Sequence, residues 1–426
     1  MPNRRGTLRS FALLGALALA AALPACDLLT GPRTKSAPEP LTSLPRALSA
    51  GEQQVISGSN AFAFGLLRET ARQDTSSNIF LSPLSASMAL GMTMNGAQGE
   101  TLAGMKGALG FGAVSLDQAN QSYRSLIDLL LGLDSSVDMR LANSIWARQG
   151  FVFQQSFYDT VHRYFDAQVT SLDFSSPNAA PTINEWVKNA TAGKIDQIVD
   201  SPIDDGLVMF LINAVYFKGT WRDKFDPDAT RDAPFTLADG RTRTVKMMHR
   251  TGPGSSFAAL DGTRGVELAY GRGAFVMDIV LPPAGSKLSG LVARLDTATW
   301  NGWMRGLHSG ELDLSMPRYK LRWEDTLNEP LKRLGMQAAF SWPPADFRAM
   351  CKSRDDCYID FVKQKTYVDV NEEGTEAAAV TSVGVGVTSA PLTVPFVVDR
   401  PFLVAIRERF SGSLLFLGAI GAPVSQ

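Results

Sequence analysis

Histidine is scarce in this sequence. Three occur in 426 residues, His162, His249 and His308, and none has a second His or Cys at metal-ligand spacing. With no HExxH segment, zinc-dependent hydrolysis has no sequence support. Cysteine is equally rare: Cys26, Cys351 and Cys357. No GxSxG elbow surrounds a serine, no Walker loop is present, and no GxGxxG follows a strand-like run. Adjacent acids such as Asp204-Asp205, Asp355-Asp356 and Glu372-Glu373 point apart and do not form a carboxylate pair. Only a dispersed Ser–His–Asp site is left open by these absences. No cofactor and no metal is expected. The net charge is −1 and no basic stripe runs along the chain, so nucleic acid is not an expected partner.

What is present is a globular composition, 45% hydrophobic and 19% charged. The first residues are an exception. Arg4, Arg5 and Arg9 precede an apolar run, FALLGALALAAALPA, that is too short for a comfortable membrane span. That pattern is a secretory signal. Its ending, Leu23-Pro24-Ala25-Cys26, resembles a bacterial lipobox, in which Cys26 becomes the lipid-bearing first residue; an ordinary signal with an incidental cysteine is the alternative. Residues 1–25 are thus expected to be a leader. Residues 26–50, rich in Pro, Ser and Thr, read as a tether, and 51–426 as one domain. Export and lipid would anchor the chain to the cell envelope, with the domain in the periplasm or outside. Cys351 and Cys357 are an even pair in an exported chain, which suits a small disulfide loop, with free thiols as the alternative.

Within 51–426, helix-like and strand-like segments mix without a repeat. Phe62, Leu66 and Leu67 share one helical face. Ile183, Trp186, Val187 and Ala190 form another stripe, closed by Gly193. GLVMFLINAVYFKGTW is a long apolar run with the composition of a central strand, and strands dominate after Val266. The fold class is α+β.

The segment NEEGTEAAAVTSVGVGVTSAP, residues 371–391, is unusual. Its last fourteen residues before Pro391 are all Ala, Val, Thr, Ser or Gly. Alternation would put Thr375, Ala377, Ala379, Thr381, Val383 and Val385 on one face, without charge or bulk. The single charge, Glu376, falls on the other. The stretch is soluble as a loop and acceptable as a buried strand. A flexible Gly/Ala/Ser linker has similar composition, but this one joins two apolar strands inside a domain, where long structureless loops are usually functional.

The stretch Val370-Asn371-Glu372-Glu373-Gly374-Thr375-Glu376-Ala377-Ala378-Ala379 resembles the hinge of the serpins, the serine protease inhibitors. Asn78-Ile79-Phe80-Leu81-Ser82-Pro83-Leu84-Ser85 resembles the start of their shutter helix. Asn213-Ala214-Val215-Tyr216-Phe217-Lys218-Gly219-Thr220-Trp221 resembles the strand leading to the breach tryptophan. Residues 183–195 resemble the helix across the main sheet. Asp399-Arg400-Pro401-Phe402 and residues 412–418 resemble the closing strands. The resemblance covers 51–426.

It implies a large central β-sheet with further sheets, about eight to nine helices and an exposed reactive-centre loop. It also implies a monomeric inhibitor, not an enzyme, whose partner is a protease. The loop is bait; once cut, it inserts into the main sheet as an extra strand and traps the acyl-enzyme. Counting from Glu372, the bait bond is Thr388–Ser389, with Ser389–Ala390 second. A small residue before the bond suits elastase-like or subtilisin-like enzymes. The shutter would comprise Ser82, Ser85, Asn213 and Gln364, the last standing where the family commonly has histidine. The breach would contain Trp221 and Arg318, with Arg318 paired to Glu372.

Overall fold

The computed structural model describes residues 39–74, 78–352, 356–376 and 393–424. In chain order the strands are β1 (Asn78–Leu81), β2 (Val137–Arg148), β3 (Gln168–Leu172), β4 (Met209–Thr220), β5 (Arg231–Thr236), β6 (Thr242–Ala258), β7 (Arg264–Tyr270), β8 (Phe275–Leu281), β9 (His308–Pro317), β10 (Tyr319–Thr326), β11 (Lys363–Asn371), β12 (Gly374–Thr375), β13 (Thr393–Val397), β14 (Phe402–Glu408) and β15 (Leu414–Ile420). The α-helices are α1 (Ala50–Gln73), α2 (Pro83–Met94), α3 (Gly99–Ala108), α4 (Leu116–Gly132), α5 (Gln155–Phe165), α6 (Ala179–Ala190), α7 (Leu288–Ala293), α8 (Thr297–Arg305) and α9 (Asn328–Leu331). One sheet has six strands in the order β10-β11-β12-β4-β2-β3. The other has nine, running β1-β15-β14-β8-β7-β6-β9-β13 with β5 paired to β6. The fold is α+β, as expected, with nine α-helices among the described residues.

The long apolar run became β4 because both of its faces are covered. Phe217 joins the main core, while Phe210 and Ile212 join a smaller cluster with Ile183 and Val187 of α6. Helix α6 therefore lies over the six-stranded sheet. Trp186 is only half-buried at the rim; its indole N–H donates to Gln168 Oε1 at 3.0 Å. Helix α2 is buried nearly all round, the pattern of a core helix. It sits behind the six-stranded sheet and supplies Ser82 and Ser85 from its N-terminal turn.

The packed chain starts at Glu39, ahead of the boundary expected at 51. The Leu41 N–H donates to Arg272 O at 2.8 Å. Arg46 pairs with Glu52 at 2.6 Å, and Ser49 and Glu52 form a capping box at the start of α1. The later part of the expected tether is thus ordered domain. Cys351 and Cys357 are joined by a disulfide. Cys26 lies outside the described residues.

Arg407 of β14 is buried between Asp278 of β8, at 2.7 Å, and Glu267 of β7. Burial pushes the Asp278 carboxyl up to about 6, against the pull of Arg407. Removing a buried cation strands its carboxylates. Arg407→Met is expected to cost about 3–5 kcal/mol, read as a lower urea midpoint with unchanged slope.

Candidate functional site

Strand β11 ends at Asn371, the chain turns through Glu372 and Glu373, and β12 doubles back between β11 and β4. Thr375 stands opposite Val370 on one side and Gly219 on the other; Gly374 stands opposite Asn371 and Thr220. Gly374 has φ +153° and lies so close to Gly219 O that a Cβ would collide, so only glycine fits there. Thr375 is buried, and its hydroxyl hydrogen-bonds the Tyr270 hydroxyl at 2.7 Å. Tyr270 stacks on Trp221 with centroids 4.4 Å apart. The Trp221 indole donates to Asn371 O at 2.8 Å, and its backbone N–H donates to Glu373 O at 2.8 Å. The tryptophan thus clamps the turn from both ends.

The two glutamates diverge. Glu373 pairs with Lys224. Glu372 Oε1 accepts from Arg318 Nε at 3.2 Å and from Thr230 Oγ1 at 2.6 Å. Burial alone would raise the Glu372 carboxyl; the bonds from Arg318 and Thr230 outweigh it and hold the group below the ordinary range. Glu376 falls on the face opposite Thr375, as the alternation requires, but that face is not solvent. Its side chain is 3% exposed and lies 3.6 Å from Lys194. Around it stand Lys194 from the segment after α6, Tyr216 of β4 and Asp369 of β11.

Below Thr375, no ladder joins β4 to β11 among the described residues. A cavity of about 510 Å³ lies there, lined by residues 209–215 of β4, 363–366 of β11, Ser85 and Ala86 of α2, and Val187 of α6. Around it the four residues expected as a shutter form two pairs. Gln364 Nε2 donates to Ser82 O at 2.8 Å, and its Oε1 accepts from Ser82 N at 3.0 Å. Ser85 Oγ donates to Asn213 O at 3.2 Å. Asn213 Nδ2 donates to Asn143 Oδ1 at 2.6 Å, while Asn213 Oδ1 is buried without a hydrogen bond. Asn143, Tyr216 and Tyr270 are single polar residues within apolar strands and Lys194 follows a helix, with no local pattern to mark any of them as part of the site. Ala377, Ala378, Ala379, Thr388, Ser389 and Ala390 lie outside the described residues.

The open question of a Ser–His–Asp site has a geometric answer at His249. Ser315 Oγ and Asp313 Oδ1 both approach the same ring nitrogen, Nδ1, at 3.3 and 3.6 Å. A relay needs one nitrogen for each partner. His162 and His308 are exposed.

Comparison with known proteins places this geometry. The family model described as Serpin (serine protease inhibitor) matches residues 57–423. The human leukocyte elastase inhibitor is 34% identical over 385 residues, covering 87% of this chain and all of that protein. Human Serpin B9 is 32% identical over 379 residues, with the same coverages. Among solved structures, the thermophilic serpin tengpin in its native state superposes with a TM-score of 0.81 at 28% identity, covering 91% of this chain and 97% of that one. Human thyroxine-binding globulin with bound thyroxine gives 0.80 at 28%, covering 88% and 100%.

Glu372→Lys sets a cation against Arg318, whose side chain is 41% exposed. That exposure screens the pair, so a loss of about 2 kcal/mol is expected rather than the larger cost of a fully buried break. Because Glu372 is held low, its contribution is complete above the ordinary carboxylate range and fades as pH falls through its folded value. Glu372→Gln should therefore flatten the acid limb of a thermal-stability profile.

Proposed function

The chain belongs to the serpin family, and on that premise we propose that it is a suicide-substrate inhibitor of serine endopeptidases with a shallow primary pocket, elastase-like or subtilisin-like. One observation carries the reading: β12 already occupies the upper end of a strand-wide gap whose lower part is a cavity. The gap offers a ladder edge of β4 and another of β11. Continuing the register of β12 along both edges brings Thr381 opposite Asn213 and Gln364. Its hydroxyl would then face the side of the sheet where Asn213 Oδ1 has no hydrogen bond.

The energetics favour insertion. About a dozen backbone hydrogen bonds, at roughly 0.5–1.5 kcal/mol net each, contribute on the order of 10 kcal/mol. Trapping is a race between insertion and deacylation of the cut bond, which we assign to Thr388–Ser389, with Ser389–Ala390 second. Small uncharged residues on the inserting face keep insertion fast. Cys26 is read as the lipid attachment that holds a monomeric inhibitor at the cell envelope.

A second reading follows from the similarity to thyroxine-binding globulin: a serpin that serves as a binding module and is cut as an ordinary substrate. The hinge composition favours the first, since nothing on its inserting face is charged or bulky.

The test mixes residues 39–426 with an elastase-type and a subtilisin-type protease. A complex surviving boiling in detergent, with a released peptide beginning at Ser389, is expected. Clean cleavage with the protease still active would support the binding module instead. Thr375→Arg buries an unpaired charge beside Tyr270. Such a charge should leave the hinge undocked, so that insertion carries a penalty of several kcal/mol, and each 1.36 kcal/mol is tenfold in rate. The stoichiometry of inhibition should rise by at least about tenfold.

A further inference from the structure

The chain leaves the sheet at Glu376. The residue has φ +57°, unusual for a non-glycine, and its N–H donates to Asp369 O at 2.9 Å. Its carboxylate is enclosed by several elements. Lys194, from the segment after α6, stands 3.6 Å away. Tyr216 of β4 adjoins the carboxylate and partly offsets the cost of burying its charge. Asp369 of β11 repels it. Lys194 also lies over the Tyr367 ring of β11 at 5.0 Å, with Arg322 of β10 over the same ring at 5.5 Å. Arg140 of β2 covers the Tyr216 ring and is itself paired to Asp138 at 2.7 Å. Oε2 is buried without a hydrogen bond. At 3.6 Å the ion pair is a charge contact and not a hydrogen bond.

A buried carboxylate with this little support does not make a permanent fastening. It makes a conditional one. We propose that Glu376 and Lys194 form a charge-dependent anchor that positions the hinge at the mouth of the gap and sets how readily β12 extends into it. The role of the anchor in trapping rests on the inhibitor reading; its effect on the hinge does not.

The sign follows from burial. Desolvation raises the Glu376 carboxyl, and Lys194 and the Tyr216 hydroxyl only partly oppose it. The ionised form is the costly one in the docked hinge. Docking therefore strengthens as pH falls through the raised value and weakens as pH rises through it. Glu372 acts in the opposite sense and in stronger acid, because its carboxyl is held low. The docked hinge is tightest between the two.

The test is amide hydrogen exchange of residues 371–376, corrected for intrinsic rates, from about pH 5 to pH 8. It uses the full chain and its Glu376→Gln, Lys194→Met and Lys194→Arg variants. Protection in the wild type should decline towards the alkaline end. Gln at 376 should give protection independent of pH across this range. Met at 194 should lose a further roughly tenfold at the alkaline end, and Arg at 194 should restore it. Identical profiles in the wild type and Glu376→Gln, or an unprotected hinge in Glu376→Gln at every pH, would overturn the anchor. Protease trapping by the same proteins separates the two ideas. A trapped complex with a pH-independent hinge removes the anchor and keeps the inhibitor. The predicted exchange pattern without trapping keeps the anchor and removes the inhibitor.

Discussion

The structure depends on an incomplete ladder. Strands β4 and β11 are each paired along one edge, to β2 and to β10, and among the described residues they face each other across a gap that β12 fills only at the top. Buried backbone donors and acceptors are expensive to leave unpaired, and an unpaired edge is a template for another strand. Every other feature of the site is an arrangement around that unmet requirement. Helix α2 lies behind the gap and α6 in front of it, so an incoming strand would be covered on both faces, with Lys363 and Lys365 of β11 beside it.

The upper end of the gap is held by contacts of unlike kinds. Packing fixes Thr375, through Tyr270 and the Trp221 stack. A steric limit fixes Gly374. Charge fixes Glu372, Glu373 and Glu376 on three separate cations, Arg318, Lys224 and Lys194. The first two of those pairs stand at the turn above the gap and hold it in place. The third stands where the chain leaves the sheet, so it alone lies on the path of an extending strand. Fixing the turn while leaving the exit conditional gives a hinge with a fixed origin and one direction of travel.

How much of this was legible in the sequence depends on locality. β4 could be read because burial on both faces produces an unbroken apolar run. The small-residue stretch could be read because its composition satisfies a loop and a buried strand together. The prolines and serines of residues 39–49 have the composition of a tether, yet Leu41, Leu44 and Leu48 pack against the core; their i, i+3, i+7 spacing is a helical one, but Pro40 and Pro45 interrupt it and hide the signal. The Glu376–Lys194 contact was invisible for another reason. It joins residues far apart in sequence, and a lysine after a helix ordinarily signals a solvated end. Asn143 carries no signal of its own in the sequence, and the structure shows it holding Asn213 on one side and Phe165 O on the other.

The departure at Gln364 gains a meaning from this geometry. The family commonly has a histidine at this position, and an imidazole would change charge near neutrality. Gln364 instead grips both backbone groups of Ser82, donating to its oxygen and accepting from its nitrogen, a pairing that a neutral amide maintains at any pH. Gln364 itself therefore brings no titrating group to the lower part of the gap. Proton sensitivity is displaced to the mouth, where burial pushes both Glu372 and Glu376 upward; Arg318 and Thr230 pull the first below the ordinary range, and Lys194 and Tyr216 leave the second raised. On the proposed reading, a neutral Gln364 with a titrating mouth would let acidity adjust the start of insertion without loosening the cavity that would receive the strand.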